Sequence, residues 1–379
     1  AVKGTKQLLK YAIYHSNLFE DLGFKYLGPI DGHNLDELTE ALMVAKMMQR
    51  PCLVHIYTKK GKGYAPAEDN SGEYHGLPPK KDDDNNCKGE CFTDAFGKAL
   101  LSFADKDNSI YAVTAAMKYG TGLQHFYKAF PERFFDVGIA EQHAVTFSAG
   151  LASQGKLPVF AVYSSFLQRS YDQLIHDCAI EKRHIVLGID RAGFVGEDGE
   201  THHGLFDVAM LTTVPGVTVY SPSDTAELSQ CLEQALYKDK GIVAVRYPRG
   251  CELYRSGTKA YSDFRHVSNK SRKLIFTYGR ISAYAYTIHG VDVLQAIKIF
   301  PIYDEIIDIC LAYDEIYAFE EGEREGGIAQ KLCTALALAG FKGRFTITAV
   351  DGFVRHADVA TQLHNAMLDA DGMRKITGE

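Results

Sequence analysis

The residues best equipped for chemistry fall in a few short blocks. IAEQH (139–143) puts Glu141 where an apolar run, Phe134 to Ile139, gives way to a stretch rich in Ala, Ser and Gly. A carboxylate in the first turn of a helix can hold a proton or a hydrogen bond on a ligand, or can be a plain helix-start acid worth about 0.3–1 kcal/mol from the dipole. THHG (201–204) carries His202 and His203 on a glycine-bearing loop, and imidazoles there can donate to a developing alkoxide or shuttle protons near neutral pH. Arg191 follows HIVLGID and Arg249 lies in RYPRG, each just past an apolar run. A guanidinium in such a place can grip an anion with two parallel hydrogen bonds or make an ordinary loop salt bridge. KKGKG (59–63), followed by Tyr64, is a glycine-rich turn after PCLVHIYTK, where open α/β sheets place their ligands and where a basic surface turn is equally at home.

The elements that must position these blocks can be read from periodicity. Short apolar runs at 110–114, 134–139, 158–163, 185–190, 217–220 and 242–246 predict strands, and they alternate with helical patterns. Phe92, Ala95, Phe96, Ala99, Leu100 and Phe103 recur at helical spacing, and so do Leu228, Cys231, Leu232, Ala235 and Leu236 behind an N-cap offered by Ser223 or Asp224. Such alternation predicts a mostly parallel sheet covered on both faces. A second, smaller α/β alternation follows, with strands expected at 274–279, 291–299, 316–320 and 345–350. Near the start only a helix over 35–48 and a strand over 51–58 are legible, too little for a domain. The expected organisation is an α/β chain of tandem three-layer domains with mostly parallel sheets. Residues 1–80 are the end of a larger α/β domain, 81–90 a polar linker, 91–250 a full domain, 251–273 a second linker and 274–379 a third domain.

Composition narrows the classes of function. With 379 residues, 46% of them apolar, the chain can bury sizeable cores, and a net charge of −7 with scattered Lys and Arg argues against nucleic acid as partner. Apolar runs stay shorter than the roughly 18 residues a membrane span needs, and AVKGTKQLLK has no secretory h-region, so a cytoplasmic protein is expected. The eight cysteines are dispersed; Cys87 and Cys91 approach metal spacing without further ligands, so neither a disulfide framework nor a zinc site is expected.

Taken together, IAEQH, YSSFLQRSYDQ (163–173), DRAGFVGEDGETHHG (190–204) and RYPRG (246–250), in that order, resemble the second and third domains of the 1-deoxy-D-xylulose-5-phosphate synthase family, thiamine-diphosphate enzymes of the transketolase superfamily. The resemblance extends from GPIDGHN (28–34) to the C-terminus. It implies condensation of pyruvate with glyceraldehyde 3-phosphate, loss of CO2, and a product that feeds isoprenoid and thiamine biosynthesis. It assigns Glu141 to the pyrimidine N1′ of the cofactor, Phe166 to stacking on that ring and Tyr64 to a cofactor contact. Tyr163, Arg191 and Arg249 fall to the substrate, with the two arginines on its phosphate, and His202 and His75 to the reacting carbons, while His203 faces away. Arg169 is left between a site residue and a solvated helix charge. The small residues after Glu141 imply a homodimer.

The resemblance breaks at the other end of the cofactor. Thiamine enzymes hold the diphosphate through Mg2+ on a Gly-Asp-Gly turn and a later Asn, but here Asp-Gly occurs in settings such as EDGE (197–200) and VDGF (350–353), never as Gly-Asp-Gly. The expected cofactors are therefore thiamine diphosphate and Mg2+, with no metal ligands in this chain. Three readings stay open: a shortened synthase holding the pyrimidine half of the site, inactive alone; one subunit of a split transketolase or oxo-acid dehydrogenase; or a non-catalytic remnant.

Overall fold

The computed structural model describes residues 17–75, 90–253 and 260–379, so residues 81–89 of the first expected linker, with Cys87, lie outside the described residues. The chain forms two compact units, residues 1–82 and 83–379. In the first, β1 (Lys25–Asp31) pairs in parallel with β2 (Cys52–Tyr57), and the helix Leu35–Met47 connects them. Asn34 caps that helix through its side chain, accepting from the Glu37 amide. β1 escapes the sequence pattern because Gly28 and Pro29 interrupt its apolar run, and the pairing register slips between Leu27 and Ile30.

The second unit holds two sheets. One contains β3 (Ile110–Thr114), β4 (Phe134–Asp136), β5 (Leu157–Tyr163), β6 (Ile185–Asp190), β7 (Thr218–Tyr220) and β8 (Ile242–Arg246), all parallel, in the order β7-β8-β6-β5-β3-β4. Strand alternation sends Val159 and Ala161 to one face and Phe160 and Val162 to the other. The first face packs on the helices Phe92–Lys106 and Thr225–Tyr237; Asp224 is the cap, its carboxylate accepting from the Glu227 amide at 2.8 Å. The other face packs on the helix Glu141–Ser153 through Ala144, Val145 and Ala149. Both faces are thus covered, as all-parallel strands require.

The second sheet has the order β14-β13-β10-β11-β9, with β9 (Phe264–Val267), β10 (Lys273–Tyr278), β11 (Asp292–Ala296), β13 (Glu315–Glu323) and β14 (Arg344–Val350). β9 lies within the stretch read as a second linker; it is a half-exposed antiparallel edge strand, and its FRHV sequence has no apolar alternation to betray it. The single strand expected over 291–299 is two. After β11 the chain leaves this sheet, and β12 (Lys298–Phe300) joins the other as a seventh strand, antiparallel to β7. Apolar side chains of both sheets share one core, from Val113 and Phe160 to Leu274, Phe276 and Ile316. Among the cysteines, Cys178, Cys231 and Cys310 are buried thiols, whereas Cys251 is disulfide-bonded; Cys91, whose sulfur lies 2.8 Å from that of Cys251, is not its disulfide partner. No helix among the described residues is long and apolar enough to cross a membrane.

Candidate active site

Because β4, β3, β5, β6 and β8 are neighbours and parallel, everything that follows their carboxyl ends emerges along one edge of the sheet. Four inter-strand steps of about 4.8 Å put β4 and β8 roughly 19 Å apart. Glu141 follows β4, Tyr163 ends β5 and Phe166 lies in the short helix after it, Arg191 follows β6 and Arg249 follows β8.

Glu141 is the first residue of its helix and 2% exposed. Ala140 before it offers no side-chain cap, and the carboxylate lies at the positive end of the dipole. Arg169, with a side chain 45% exposed, donates to Glu141 Oε2 at 2.6 Å, so that this solvated charge is also paired. Phe166 lies between two rings: Tyr163, stacked at 5.6 Å, and His202, edge-on at 5.1 Å. His202 is tied by Nδ1 to the Thr201 hydroxyl at 2.9 Å. His203 is 5% exposed, and its Nδ1 accepts from the Val195 amide at 3.2 Å. Burial holds its pKa below the ordinary histidine value.

Arg191 has a left-handed backbone (φ 62°), a conformation that costs a side-chain-bearing residue energy and re-aims the chain after β6. Its guanidinium lies 3.8 Å from the Tyr163 ring centroid and donates from Nη1 to Gly120 O at 2.9 Å and to Asp190 Oδ1 at 3.1 Å. Asp198 stands between the two arginines, 3.4 Å from Arg191 Nε and 3.2 Å from Arg249 Nη1. Arg191 Nε, although buried, makes no hydrogen bond of good geometry among the described residues. It is a donor left for an anion better placed than Asp198. Burial raises the Tyr163 pKa, so its hydroxyl stays a neutral donor beside these charges.

Comparison with known proteins gives the site a family. The family described as transketolase, pyrimidine binding domain matches residues 91–252, and that of 1-deoxy-D-xylulose-5-phosphate synthase matches residues 1–58. Curated synthases of that name are 41% identical in Brevibacillus brevis (97% of this chain, 61% of the relative) and 39% identical in Aquifex aeolicus (99% and 62%). That of Clostridium kluyveri is 47% identical over 74% of this chain and 46% of its own length. The chain belongs to the 1-deoxy-D-xylulose-5-phosphate synthase family. It spans about three fifths of the length of most of these curated synthases. Among solved structures, a split-gene transketolase titled an inactive beta4 tetramer matches with TM-score 0.66 and 23% identity, over 75% of this chain and 96% of that one. The Campylobacter jejuni transketolase matches with TM-score 0.63 and 14% identity, over 97% and 70%. These two likenesses bear on the fold.

The remaining two residues singled out from the synthase resemblance, Tyr64 and His75, lie in the first unit. Tyr64 is exposed and edge-on to Tyr74 at 5.6 Å, while Lys60 Nζ lies 2.7 Å from His75 Nδ1. Glu68 closes the KKGKG turn that precedes them by pairing with Lys59 and accepting from the Gly63 amide at 2.8 Å. Sequence reasoning misses Asp190, fully buried behind Arg191. Burial pushes its pKa up to about 6 against the pull of Arg191 and of the Thr93 hydroxyl, which donates to it at 2.7 Å. The acid in EDGE stands out in the sequence only as a conceivable metal ligand; nothing in a linear chain says that Asp198 folds back between two arginines.

Proposed function

We propose that this chain carries the pyrimidine and substrate-phosphate half of an enzyme that condenses pyruvate with glyceraldehyde 3-phosphate, releasing CO2 and forming 1-deoxy-D-xylulose 5-phosphate, a precursor of isoprenoids and thiamine. The observation that carries the reading is the alignment of Glu141, Phe166 and the Arg191–Arg249 pair along consecutive parallel strand ends, an acid at one end and an unfilled arginine donor at the other. When bound, thiamine diphosphate supplies the nucleophilic carbon and the electron sink that carboligation of a 2-oxo acid needs. The donor set fits its pyrimidine end. Glu141, dry and ion-paired, accepts a hydrogen bond from a protonated ring nitrogen, and the half-buried Phe166 offers an aromatic face.

Arg191 and Arg249 hold the phosphate of the acceptor, which replaces Asp198 between them. The Tyr163 hydroxyl donates toward the same substrate, and His202, the more accessible of the two histidines, moves the proton at the acceptor carbonyl oxygen. His75 serves the reacting carbons and Tyr64 the cofactor, by resemblance. The diphosphate end does not fit these residues: the 379 residues contain no Gly-Asp-Gly, and among the described residues no three His, Cys, Asp or Glu side chains are grouped to hold a metal ion. Mg2+ therefore enters no step here. Assembly as a homodimer is supported by the helix Glu141–Ser153, which leaves His143, Thr146 and Gly150 exposed, and by Ile139 before it, 77% exposed. A cytoplasmic location is carried over from the resemblance; the buried thiols agree with it, and the disulfide at Cys251 does not.

The test is an assay for deoxyxylulose phosphate with the protein purified as it exists in its source cells. Product from pyruvate and glyceraldehyde 3-phosphate, dependent on thiamine diphosphate and lost in Glu141→Ala, is the expected result. A fully folded protein that makes none overturns the reading. The mass of that protein separates a single longer chain from a split enzyme whose second polypeptide bears the Gly-Asp-Gly.

A further inference from the structure

The pairing of β6 with β8 ends where Ala192 N donates to Tyr247 O at 3.0 Å. Beyond that point the chains bearing Arg191 and Arg249 diverge, and Pro248 has no N–H with which to continue a ladder. What ties them together again comes from the other sheet. Arg280, in the turn after β10, and Glu321, on β13, form a buried ion pair, 5% and 7% exposed. Arg280 Nε donates to Glu321 Oε2 at 2.9 Å, and a second contact joins Nη2 to Oε1.

The rest of both side chains is aimed at main chain. Glu321 Oε1 accepts from the Phe194 amide at 2.7 Å, Arg280 Nη2 donates to Phe194 O at 2.8 Å, and Arg280 Nη1 reaches Arg249 O at 3.4 Å. One guanidinium fork therefore spans the segment three residues after Arg191 and the peptide of Arg249 itself. Arg249 Nη1 adds a cross-tie to Val195 O at 3.0 Å. Gly193 completes the fit: it has φ 80°, and an added Cβ would overlap the Glu321 carboxylate.

We propose that Arg280 and Glu321 are positioning residues that fix the separation of the Arg191 and Arg249 guanidinium groups, and thereby the affinity of the site for a phosphate monoester. The inference rests on the reading of those two arginines as phosphate ligands. A buried ion pair is a weak source of stability, often replaceable by apolar side chains at little cost. Its contacts here run to the main chain of the two arginine-bearing loops, which is what setting a distance requires.

The experiment is calorimetric titration of the 379-residue chain with glycerol 3-phosphate, a three-carbon phosphate monoester with no carbonyl to react. Arg280→Lys keeps the charge and loses the fork. R280M/E321M removes both charges, so that none is left buried and unpaired if Arg280→Lys fails to fold. Both variants are expected to bind about tenfold or more weakly, the equivalent of one lost charge-assisted hydrogen bond. The melting temperature of the double variant is expected to stay well above the assay temperature. Affinities within about twofold of the unsubstituted chain, in folded variants, overturn the positioning role and leave the phosphate reading standing. A folded, unsubstituted chain that does not bind glycerol 3-phosphate overturns the phosphate reading itself, and the inference with it. In the protein from source cells, the same substitutions raise KM for glyceraldehyde 3-phosphate and leave KM for pyruvate unchanged; a rise in both by the same factor marks a merely structural effect and counts against the proposal.

Discussion

Arg246, at the end of β8, is 3% exposed and pairs with Asp207: Nε donates to Oδ2 at 2.8 Å and Nη2 to Oδ1 at 3.2 Å. Burial works against the guanidinium charge, but Asp207, with Tyr278 and Glu321, more than offsets it, and the pKa of Arg246 is raised. Substituting Asp207→Ala takes away the charged partner that Arg246 touches and leaves two long hydrogen bonds, to Ser221 Oγ and Gly204 O at 3.4 Å, the Tyr278 ring at 5.7 Å and the more distant charges of Glu320 and Glu321. Removing one partner of a buried pair costs about 3–5 kcal/mol, because the charge left behind is uncompensated. For a unit of this size each kcal/mol moves the melting temperature by about 2–4 °C, so the melt of Asp207→Ala should fall by roughly 6–20 °C. Replacing both, as R246M/D207L, should restore all but about 2 kcal/mol, giving a large favourable coupling in a double-mutant cycle. Urea titration and circular-dichroism melts of the four proteins measure it. A cost below about 1 kcal/mol for Asp207→Ala, or a double variant whose loss is the sum of the single losses, refutes the reasoning.

Two buried groups make opposite demands on pH. His203 has a depressed pKa, so the unfolded chain binds its proton more tightly; the stability it contributes is intact above about 6.5 and is lost as pH falls below that. Melts at pH 7.5 and pH 5 should show a smaller acid-side loss for His203→Gln than for the unsubstituted chain, and an equal loss contradicts the assignment. Asp190 has a raised pKa, so its contribution is present below the ordinary aspartate value of about 3.8 and is lost as pH rises through about 6, by up to about 3 kcal/mol. The melting temperature of Asp190→Asn relative to the unsubstituted chain should therefore climb between pH 4 and pH 7; a flat difference counts against it. At Gly120, an added Cβ would overlap the Tyr163 hydroxyl. Gly120→Ala should thus displace the ring on which Arg191 rests and weaken glycerol 3-phosphate binding, and unchanged affinity in a folded variant would show that Tyr163 does not support Arg191.

Much of this architecture is legible in the sequence, for a physical reason. Strands buried on both faces, such as IVLGID and IVAVR, read as unbroken apolar runs, and their parallel order follows from the helices between them. Glu141, Arg191 and Arg249 stand out in the sequence because they fall near the ends of predicted strands, where such sheets carry ligands, whereas Tyr163 and Phe166 are singled out by the resemblance to the synthase family. What stays hidden depends on partners far away in sequence. β9 is an edge strand with no apolar face to conceal, and the split of 291–299 into β11 and β12 is set by which sheet each half meets. Arg169 cannot be assigned from its own helix, because its partner Glu141 lies 28 residues earlier on another element. The grip of Arg280 and Glu321 on Phe194 and Arg249 spans still longer separations, and neither residue belongs to a motif.

The central claim is that these 379 residues hold the pyrimidine end of thiamine diphosphate and not its metal end. Calorimetric titration of the chain with thiamine diphosphate, with and without Mg2+, tests it most directly. One charge-assisted hydrogen bond to Glu141 and one stacking contact on Phe166 supply about 2–4 kcal/mol together, which is millimolar binding at best. The account predicts weak binding, the same with and without Mg2+, and lost in Glu141→Ala. Micromolar binding that depends on Mg2+, or binding that survives Glu141→Ala, would contradict it.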